Sequence, residues 1–248
     1  MAERKNPEYG SDLIVDLMHG YGFKYAAINP GSSFRALHDS LVNYGGNENP
    51  KIVLCCHEEI AVAVAHGYAR ACGEPMLAIC HDVVGLQHAS MAIYNAWIDR
   101  VPMIVLGATG PSDPTGDEPF PRLAPLHTAH LQGQLVRDYV KWDYQPTSLA
   151  GVVESFARAY KIALTEPMGP VYVCYDAKLQ EDRATEMSNL AFPPDHLPSV
   201  SPSGDPEKLE EVVRQLLEAK DPVIIAGMVG RKAGAWKSLV SFAETLGL

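Results

Sequence analysis

Two adjacent carboxylates, Glu58 and Glu59, lie where an apolar strand is predicted to change into a helix. Residues 51–56 form an apolar run after Pro50, which predicts a short buried strand. Residues 57–73 predict a helix of small apolar residues, whose face a flat ligand could approach closely. Open α/β sheets bind ligands at the carboxyl ends of their strands, so a carboxylate here is a candidate ligand-binding group. The alternative is a charge pair that only stabilises an exposed helix N-terminus through the helix dipole.

Two further polar residues follow predicted strands. Ser32 comes after the apolar run 24–30, at the start of a predicted helix, where it could bind an anion with backbone N–H groups or simply cap the helix. His81 ends the run 75–81, and its side chain titrates near neutral pH, as a proton relay requires. A lone histidine at a strand end is otherwise most often a hydrogen-bonded structural residue.

Strand-like and helical segments alternate through most of the chain. Strands are predicted at 24–30, 51–56, 75–81, 101–109, 139–144 and 169–176, and helices at 11–20, 31–45, 57–73, 86–97, near 131 and at 148–165. The strands are continuous apolar runs, which is typical of a parallel sheet covered by helices on both faces. The fold class is therefore predicted as α/β. The segment 110–130, rich in Pro, Gly and Asp, predicts a long loop.

The chain is predicted to contain one complete and one incomplete domain. Residues 1–180 form the first, and the proline-rich residues 181–205 predict a linker. Residues 206–248 supply only a helix, a strand at 222–226 and a second helix. Because one such unit cannot bury both faces of its strand, it is expected to be the truncated beginning of a second domain. The alternative is an appendage packed on the first domain.

Composition restricts the partners of the chain. With 47% hydrophobic and 20% charged residues it resembles a soluble globular protein, and no stretch approaches the roughly 20 apolar residues of a membrane span. A net charge of −10 without a basic cluster argues against nucleic acid or a membrane as partner. The first residues do not have the pattern of a secretory signal. The five cysteines lack zinc spacing, so we expect reduced thiols, a cytoplasmic protein and no metal ligands in this chain.

The order of elements and four motifs resemble the N-terminal pyrimidine-binding domain of thiamine diphosphate-dependent enzymes, in the group of acetolactate synthase, pyruvate decarboxylase and benzoylformate decarboxylase. The resemblance covers about residues 7–176, and the remainder looks like the beginning of that group's central, Rossmann-like domain. Its strongest motif is Glu58 followed nine residues later by Gly-Tyr-Ala-Arg at 67–70. The resemblance implies that Glu58 hydrogen-bonds N1′ of the cofactor's aminopyrimidine. This contact promotes formation of the C2 ylide that attacks a 2-oxo acid.

The other motifs imply further site residues. The turn Asn-Pro-Gly-Ser at 29–32 implies that Ser32 binds the substrate carboxylate, and His81 corresponds to a catalytic, proton-relaying histidine. The resemblance assigns the cofactor to Glu58, Pro30, Gly85 and His88. The chain departs from the family at 83–85, where Val-Val-Gly replaces Gly-Pro-Gly, and at His88, where Asn is usual. These departures leave the reaction itself open.

In the family a separate C-terminal domain holds the diphosphate through Mg²⁺ with a Gly-Asp-Gly motif, which this sequence lacks. The resemblance therefore implies a second subunit or C-terminal domain that completes the site, a homo-oligomeric enzyme, and a chain that is inactive alone. We expect a fragment of a longer enzyme or, alternatively, one subunit of a split enzyme. Decarboxylation is favoured because Ser32 and His81 occur together. An acetolactate synthase-like carboligase and a cofactor-free interaction subunit, pairing through the Ala-rich helix, are the alternatives.

Overall fold

The computed structural model describes residues 6–111, 128–184 and 203–247. Most of the predicted loop at 110–130 and of the predicted linker lies outside these ranges. By its contacts the chain divides into two units, residues 1–199 and residues 200–248. None of the helices in the described ranges is long and apolar enough to cross a membrane.

The first unit is built on a parallel sheet. Within the described residues its strands are β1 (Tyr25–Ile28), β2 (Lys51–Leu54), β3 (Met76–Cys80), β4 (Met103–Thr109), β5 (Asp143–Tyr144) and β6 (Pro170–Asp176). Their order is β2-β1-β3-β4-β6-β5, and every neighbouring pair runs parallel. The predicted α/β class is confirmed.

Helices cover both faces of this sheet. They are α1 (Gly10–Gly20), α2 (Arg35–Asp39), α3 (Glu58–Cys72), α4 (Asp82–Ile98), α5 (Leu149–Leu164) and α6 (Ala177–Glu181). Along β3, Ile79 belongs to a buried cluster with α1 and α5, whereas Ala78 belongs to a second cluster with α3 and α4. Because neighbouring side chains enter opposite cores, each strand is apolar throughout.

The strand order reverses beside β1. From β1 the chain moves to β2 on one side and then to β3 on the other, with Ile28 of β1 aligned to Leu54 of β2 and to Ile79 of β3. At such a switch point the connections leave in opposite directions and open a crevice at the carboxyl ends of the strands. Ser32, Glu58 and His81 follow these three strands, so the topology places them along this edge.

The single helix predicted at 31–45 is wrong in detail. The segment contains a 3₁₀ turn (Ser32–Phe34), α2 and a π turn (Ser40–Tyr44). The buried Ser40 hydroxyl donates to Asp12 Oδ1 of α1 at 2.6 Å, and its Oγ lies 2.8 Å from the Ser11 hydroxyl oxygen. Tertiary hydrogen bonds of this kind override the local preference for a regular helix.

Two other predicted elements are shorter than expected. The strand predicted at 139–144 is reduced to β5, because a 3₁₀ turn (Arg137–Tyr139) precedes it. The helix predicted near residue 131 is a 3₁₀ turn (Gln132–Leu135). The Arg137 guanidinium binds both carboxylate oxygens of Asp143, at 2.8 and 2.7 Å, and fixes the bend between these pieces.

The second unit contains α7 (Pro206–Glu218), a 3₁₀ turn (Val229–Arg231) and α8 (Ala235–Leu246). The strand predicted at 222–226 is wrong, since these residues join no ladder within the described part of the chain. A strand needs a neighbour for its backbone groups, and Val223 and Ile225 are instead 81% and 94% exposed. The domain boundaries proposed from the sequence stay predictions.

Candidate active site

Burial separates the two adjacent carboxylates. Glu58 is the first residue of α3 and is only 3% exposed, whereas Glu59 is exposed. His57 caps the helix, because its Nδ1 accepts a hydrogen bond of 3.2 Å from the Glu59 N–H. The cap and the helix dipole both favour a carboxylate at this position.

Gly85 packs against the Glu58 carboxyl group. A Cβ atom on residue 85 would lie 2.8 Å from Oε1 of Glu58 and 3.0 Å from its Cγ. Gly85 is buried in the first turns of α4, and its N–H donates to the His81 carbonyl at 2.7 Å. The first turn of α4 therefore links the position of His81 to that of Gly85, against which the Glu58 carboxyl group packs.

Two histidines lie above the same carboxylate. Nδ1 of His88 is 3.6 Å from Oε2 of Glu58, and the rings of His57 and His88 stack with centroids 4.7 Å apart. His57 was not predicted as a site residue, although its position just before the acidic pair is that of a helix-capping residue. His88 is half-exposed, so this end of the cluster faces solvent while Glu58 is covered.

The three residues of this cluster are of types that bind metal ions, but the hydrogen bond at His57 does not suit a metal ligand. One ligand atom from each of His57, Glu58 and His88 lies within 4.8 Å of the others. A histidine that binds a metal normally donates a hydrogen bond from its other ring nitrogen. Nδ1 of His57 accepts one instead, which puts the proton of the neutral ring on Nε2 and makes that nitrogen a donor. The cluster therefore suits hydrogen bonding better than metal binding.

A second cluster forms where β1 and β3 end. Nδ1 of His81 lies 2.8 Å from Oγ of Ser33, which is 2% exposed. Gly31 packs on the His81 ring so closely that a Cβ there would lie 2.1 Å from Cγ of the histidine. Sequence reasoning chose Ser32 and missed Ser33, because burial of the second serine depends on the 3₁₀ turn. Ser32 and Pro30 are exposed on the same edge.

The turn from β3 into α4 contains a strained residue that the sequence analysis also missed. Asp82 is fully buried and has a φ of +56°, in the left-handed region that non-glycine residues rarely adopt. Its Oδ1 accepts the N–H of Val83. This conformation begins α4 at Asp82, four residues earlier than predicted, and puts His81 at the N-cap. Strained backbone of this kind is common at functional sites.

The Glu58 carboxylate also acts electrostatically on a buried thiol at the end of β3. Burial raises the pKa of the Cys80 thiol, and the Glu58 carboxylate raises it further. Cys80 is the last residue of β3, next to His81. The carboxylate is therefore close to the end of the strand that carries His81, and the two clusters are neighbours along one edge of the sheet.

Residues 9–140 match the model of the thiamine pyrophosphate enzyme family, N-terminal TPP binding domain. The match spans more than half of the chain. The chain belongs to the thiamine pyrophosphate enzymes. The resemblance inferred from Glu58 and its motif is thus confirmed at the level of the family, and thiamine diphosphate is the cofactor after which the matched domain is named.

The named relatives include both an acetolactate synthase and a benzoylformate decarboxylase. The chain is 26% identical over 246 residues to the acetolactate synthase large subunit of Haemophilus influenzae, covering 96% of this chain and 40% of the relative. It is 27% identical over 222 residues to benzoylformate decarboxylase of Pseudomonas aeruginosa, covering 82% and 39%. The chain therefore spans about two fifths of the length of these relatives.

A solved structure shows the same architecture. A candidate thiamin diphosphate-dependent enzyme from Mycobacterium smegmatis superimposes with a TM-score of 0.79 at 27% identity, covering 98% of this chain and 44% of that one. The family and the fold are thus established. The roles of Glu58, His81, Ser32, Pro30, Gly85 and His88 stay predictions.

Proposed function

We propose that this chain forms the pyrimidine-binding half of a thiamine diphosphate-dependent enzyme that decarboxylates a 2-oxo acid. The observation that carries the proposal is the carboxyl group of Glu58, which is buried at the carboxyl edge of a parallel sheet and rests on Gly85. A carboxylate is costly to bury without a partner that uses it. The family supplies such a partner in the aminopyrimidine of its cofactor.

The residues at this edge fit that group chemically. Glu58 offers a carboxyl group for a ring nitrogen, and Gly85 offers backbone without a side chain, as the close packing of a flat ring requires. His88 adds an aromatic edge next to Oε2 of Glu58. Together with Pro30 on the same edge, these residues would hold the pyrimidine part of the cofactor.

Bound thiamine diphosphate supplies an electron sink for the carbanion left when a bond next to the substrate carbonyl breaks. The role of Glu58 is to share a proton with N1′ of the aminopyrimidine and so to set the protonation of that ring. Its low exposure supports this role, because water competes poorly for a buried carboxyl group. The cap by His57 keeps the first turn of α3, and with it Glu58, in place.

Ser32 and His81 are proposed to serve the substrate. Ser32 is exposed at the start of the 3₁₀ turn after β1, where its hydroxyl and nearby N–H groups suit a carboxylate. His81 lies at the end of the adjacent strand, and histidine is the residue type most often used for proton transfer in enzymes. Their placement on neighbouring strands supports one substrate pocket between them.

We further propose that the diphosphate and Mg²⁺ are bound by residues other than those of this sequence, either in a C-terminal domain or in a different, second subunit, and that the complete enzyme is a homo-oligomer. This sequence contains no Gly-Asp-Gly motif. The relatives are also more than twice as long as their matched part. We also propose a cytoplasmic location, because the cysteines are free thiols.

Carboligation is the second candidate reaction. It is favoured by the acetolactate synthase of H. influenzae, whose match covers 96% of this chain, more than the benzoylformate decarboxylase match does. The two reactions share the steps up to loss of carbon dioxide. They differ in whether a proton or a second carbonyl compound then reacts, so the products distinguish them.

The test is calorimetric titration of the complete enzyme with thiamine diphosphate and Mg²⁺, followed by product analysis with pyruvate and with benzoylformate. Binding and release of an aldehyde would support the decarboxylase, and acetolactate from pyruvate would support the carboligase. Absence of cofactor binding would contradict both and favour an interaction subunit.

A further inference from the structure

We propose that Ser33 is a positioning residue that fixes the imidazole of His81 and leaves proton exchange to Nε2 of that ring. The inference rests on the proposed proton-transfer role of His81. Ser33 belongs to no motif that the sequence analysis identified. It is assigned here from its contact with the histidine and from the construction of the turn that carries it.

The contact is short and buried. Ser33 Oγ lies 2.8 Å from His81 Nδ1, and Ser33 is 2% exposed. A buried hydroxyl that lost this partner would be left as an unsatisfied polar group, which destabilises the folded state. The hydrogen bond is therefore a stable part of the turn and not an occasional surface contact.

The turn itself is held from two sides. The Nε2 group of Gln180 in α6 donates to the Ser33 carbonyl at 3.0 Å in a buried hydrogen bond. On the other side Gly31 packs against the His81 ring and leaves no space for a side chain. The imidazole is thus closely packed near its Cγ and Nδ1 atoms and has a hydroxyl partner at Nδ1, so rotation of the ring would break the hydrogen bond.

A hydroxyl suits a histidine that must both take and give a proton. It can accept a hydrogen bond from Nδ1–H in both the neutral ring and the cation, so Nδ1 keeps its proton while Nε2 gains or loses one. A carboxylate in its place would favour the cation alone. With Ser33 Oγ accepting from Nδ1–H, the neutral ring keeps its proton on Nδ1, so its Nε2 takes up a proton and the cation releases it from the same nitrogen.

The first test is nitrogen NMR of the histidine-labelled chain at a pH where His81 is neutral, with His81→Gln to assign the signal among the nine histidines. The expected result is a single tautomer protonated at Nδ1. The preference should be lost in Ser33→Ala and kept in Ser33→Thr, which retains the hydroxyl. Ser32→Ala is the matched control, since its exposed hydroxyl lies outside this contact and should leave the signal unchanged.

The second test is steady-state kinetics of the complete enzyme. Ser33→Ala should lower kcat about tenfold with little change in KM, because proton transfer and not binding is affected. Ser32→Ala should mainly raise KM. A wild-type ring protonated at Nε2, a tautomer unchanged by Ser33→Ala, or a changed tautomer with unchanged kcat would each overturn the proposal. The wild-type spectrum decides even if Ser33→Ala fails to fold.

The two tests also separate this inference from the proposed function. If the wild-type enzyme binds no cofactor and turns over no 2-oxo acid, the proposed function fails, and Ser33 then has no proton transfer to support. If turnover is normal and depends on His81 but not on Ser33, only the positioning role fails.

Discussion

The carboxyl group of Glu58 and the backbone of Gly85 are in direct contact across the junction of α3 and α4. A Cβ on residue 85 would approach Oε1 at 2.8 Å, closer than real Cβ atoms come to their neighbours. The orientation of the Glu58 side chain therefore depends on the absence of a side chain at residue 85 in α4.

This contact predicts the effect of Gly85→Ala. The atoms that the new methyl group meets all belong to the flexible Glu58 side chain, so the carboxyl group should move while the backbone stays. Alanine also favours the helix by about 0.5–1 kcal/mol. We expect thiamine diphosphate affinity to fall at least about tenfold, with a Tm within a few degrees of wild type. Calorimetric titration and thermal unfolding of the complete enzyme measure the two effects.

Gly67→Ala is the matched control for this substitution. Gly67 lies in α3, and a Cβ there would meet nothing within 4 Å. We expect it to stabilise the chain by about 0.5–1 kcal/mol without changing cofactor affinity. Normal affinity in Gly85→Ala would show that the Glu58 carboxyl group does not need its present position.

Glu58→Gln should remove cofactor-dependent turnover while the fold is retained. Glutamine has nearly the same shape but cannot share a proton with a ring nitrogen, and general acid–base groups contribute about 10²–10⁴-fold to rate. We expect kcat to fall at least about 100-fold. Glu59→Gln, one residue later and exposed, is the control and should keep nearly full activity. Equal effects of the two substitutions would remove the special role given to Glu58.

Much of the sheet could be predicted from the sequence because its strands are buried on both faces. An apolar run next to an alternating helical pattern has few other interpretations, and Glu58 and His81 could be placed at strand ends from those runs alone. Ser33, by contrast, could not be distinguished from Ser32. Its turn is held by Gln180, which is 147 residues away and whose donation to the Ser33 carbonyl no local pattern reveals.

The incorrect predictions have the same cause, since they depend on contacts that local sequence patterns do not reveal. The segment 31–45 has a helical pattern, but the buried hydroxyl of Ser40 is bound to Asp12 and breaks the regular helix. The run 222–226 has the composition of a strand, yet composition does not supply the neighbouring strand that a ladder requires. Asp82 was missed because a left-handed aspartate depends on the turn geometry and not on the residue type.

His88→Asn tests the residue at which this chain departs from the family. The substitution removes the ring that stacks on His57 and lies 3.6 Å from the Glu58 carboxylate. An aromatic contact contributes about 0.5–1.5 kcal/mol, so we expect cofactor Kd to rise roughly two- to twelvefold. Titration with thiamine diphosphate and Mg²⁺ gives this value. An unchanged Kd would place His88 outside the cofactor site.

Cysteine labelling tests the packing of the sheet independently of the cofactor. Burial raises the pKa of the Cys55 and Cys80 thiols, and that of Cys174 to about 12. The thiolate is the reactive form, so a raised pKa leaves less of it at neutral pH, and burial blocks access as well. Cys56 and Cys72 are exposed.

We therefore expect iodoacetamide at pH 7.5 to modify Cys56 and Cys72 rapidly and the other three only after unfolding, as mapped by peptide mass spectrometry. The double variant Cys56→Ser/Cys72→Ser is the control and should remain almost unlabelled until denaturant is added. Raising the pH should speed labelling of the buried thiols far less than that of unfolded protein, because their pKa values are higher in the folded state. Rapid native labelling of Cys80 or Cys174 would contradict the burial of β3 or β6 on which the placement of His81 depends.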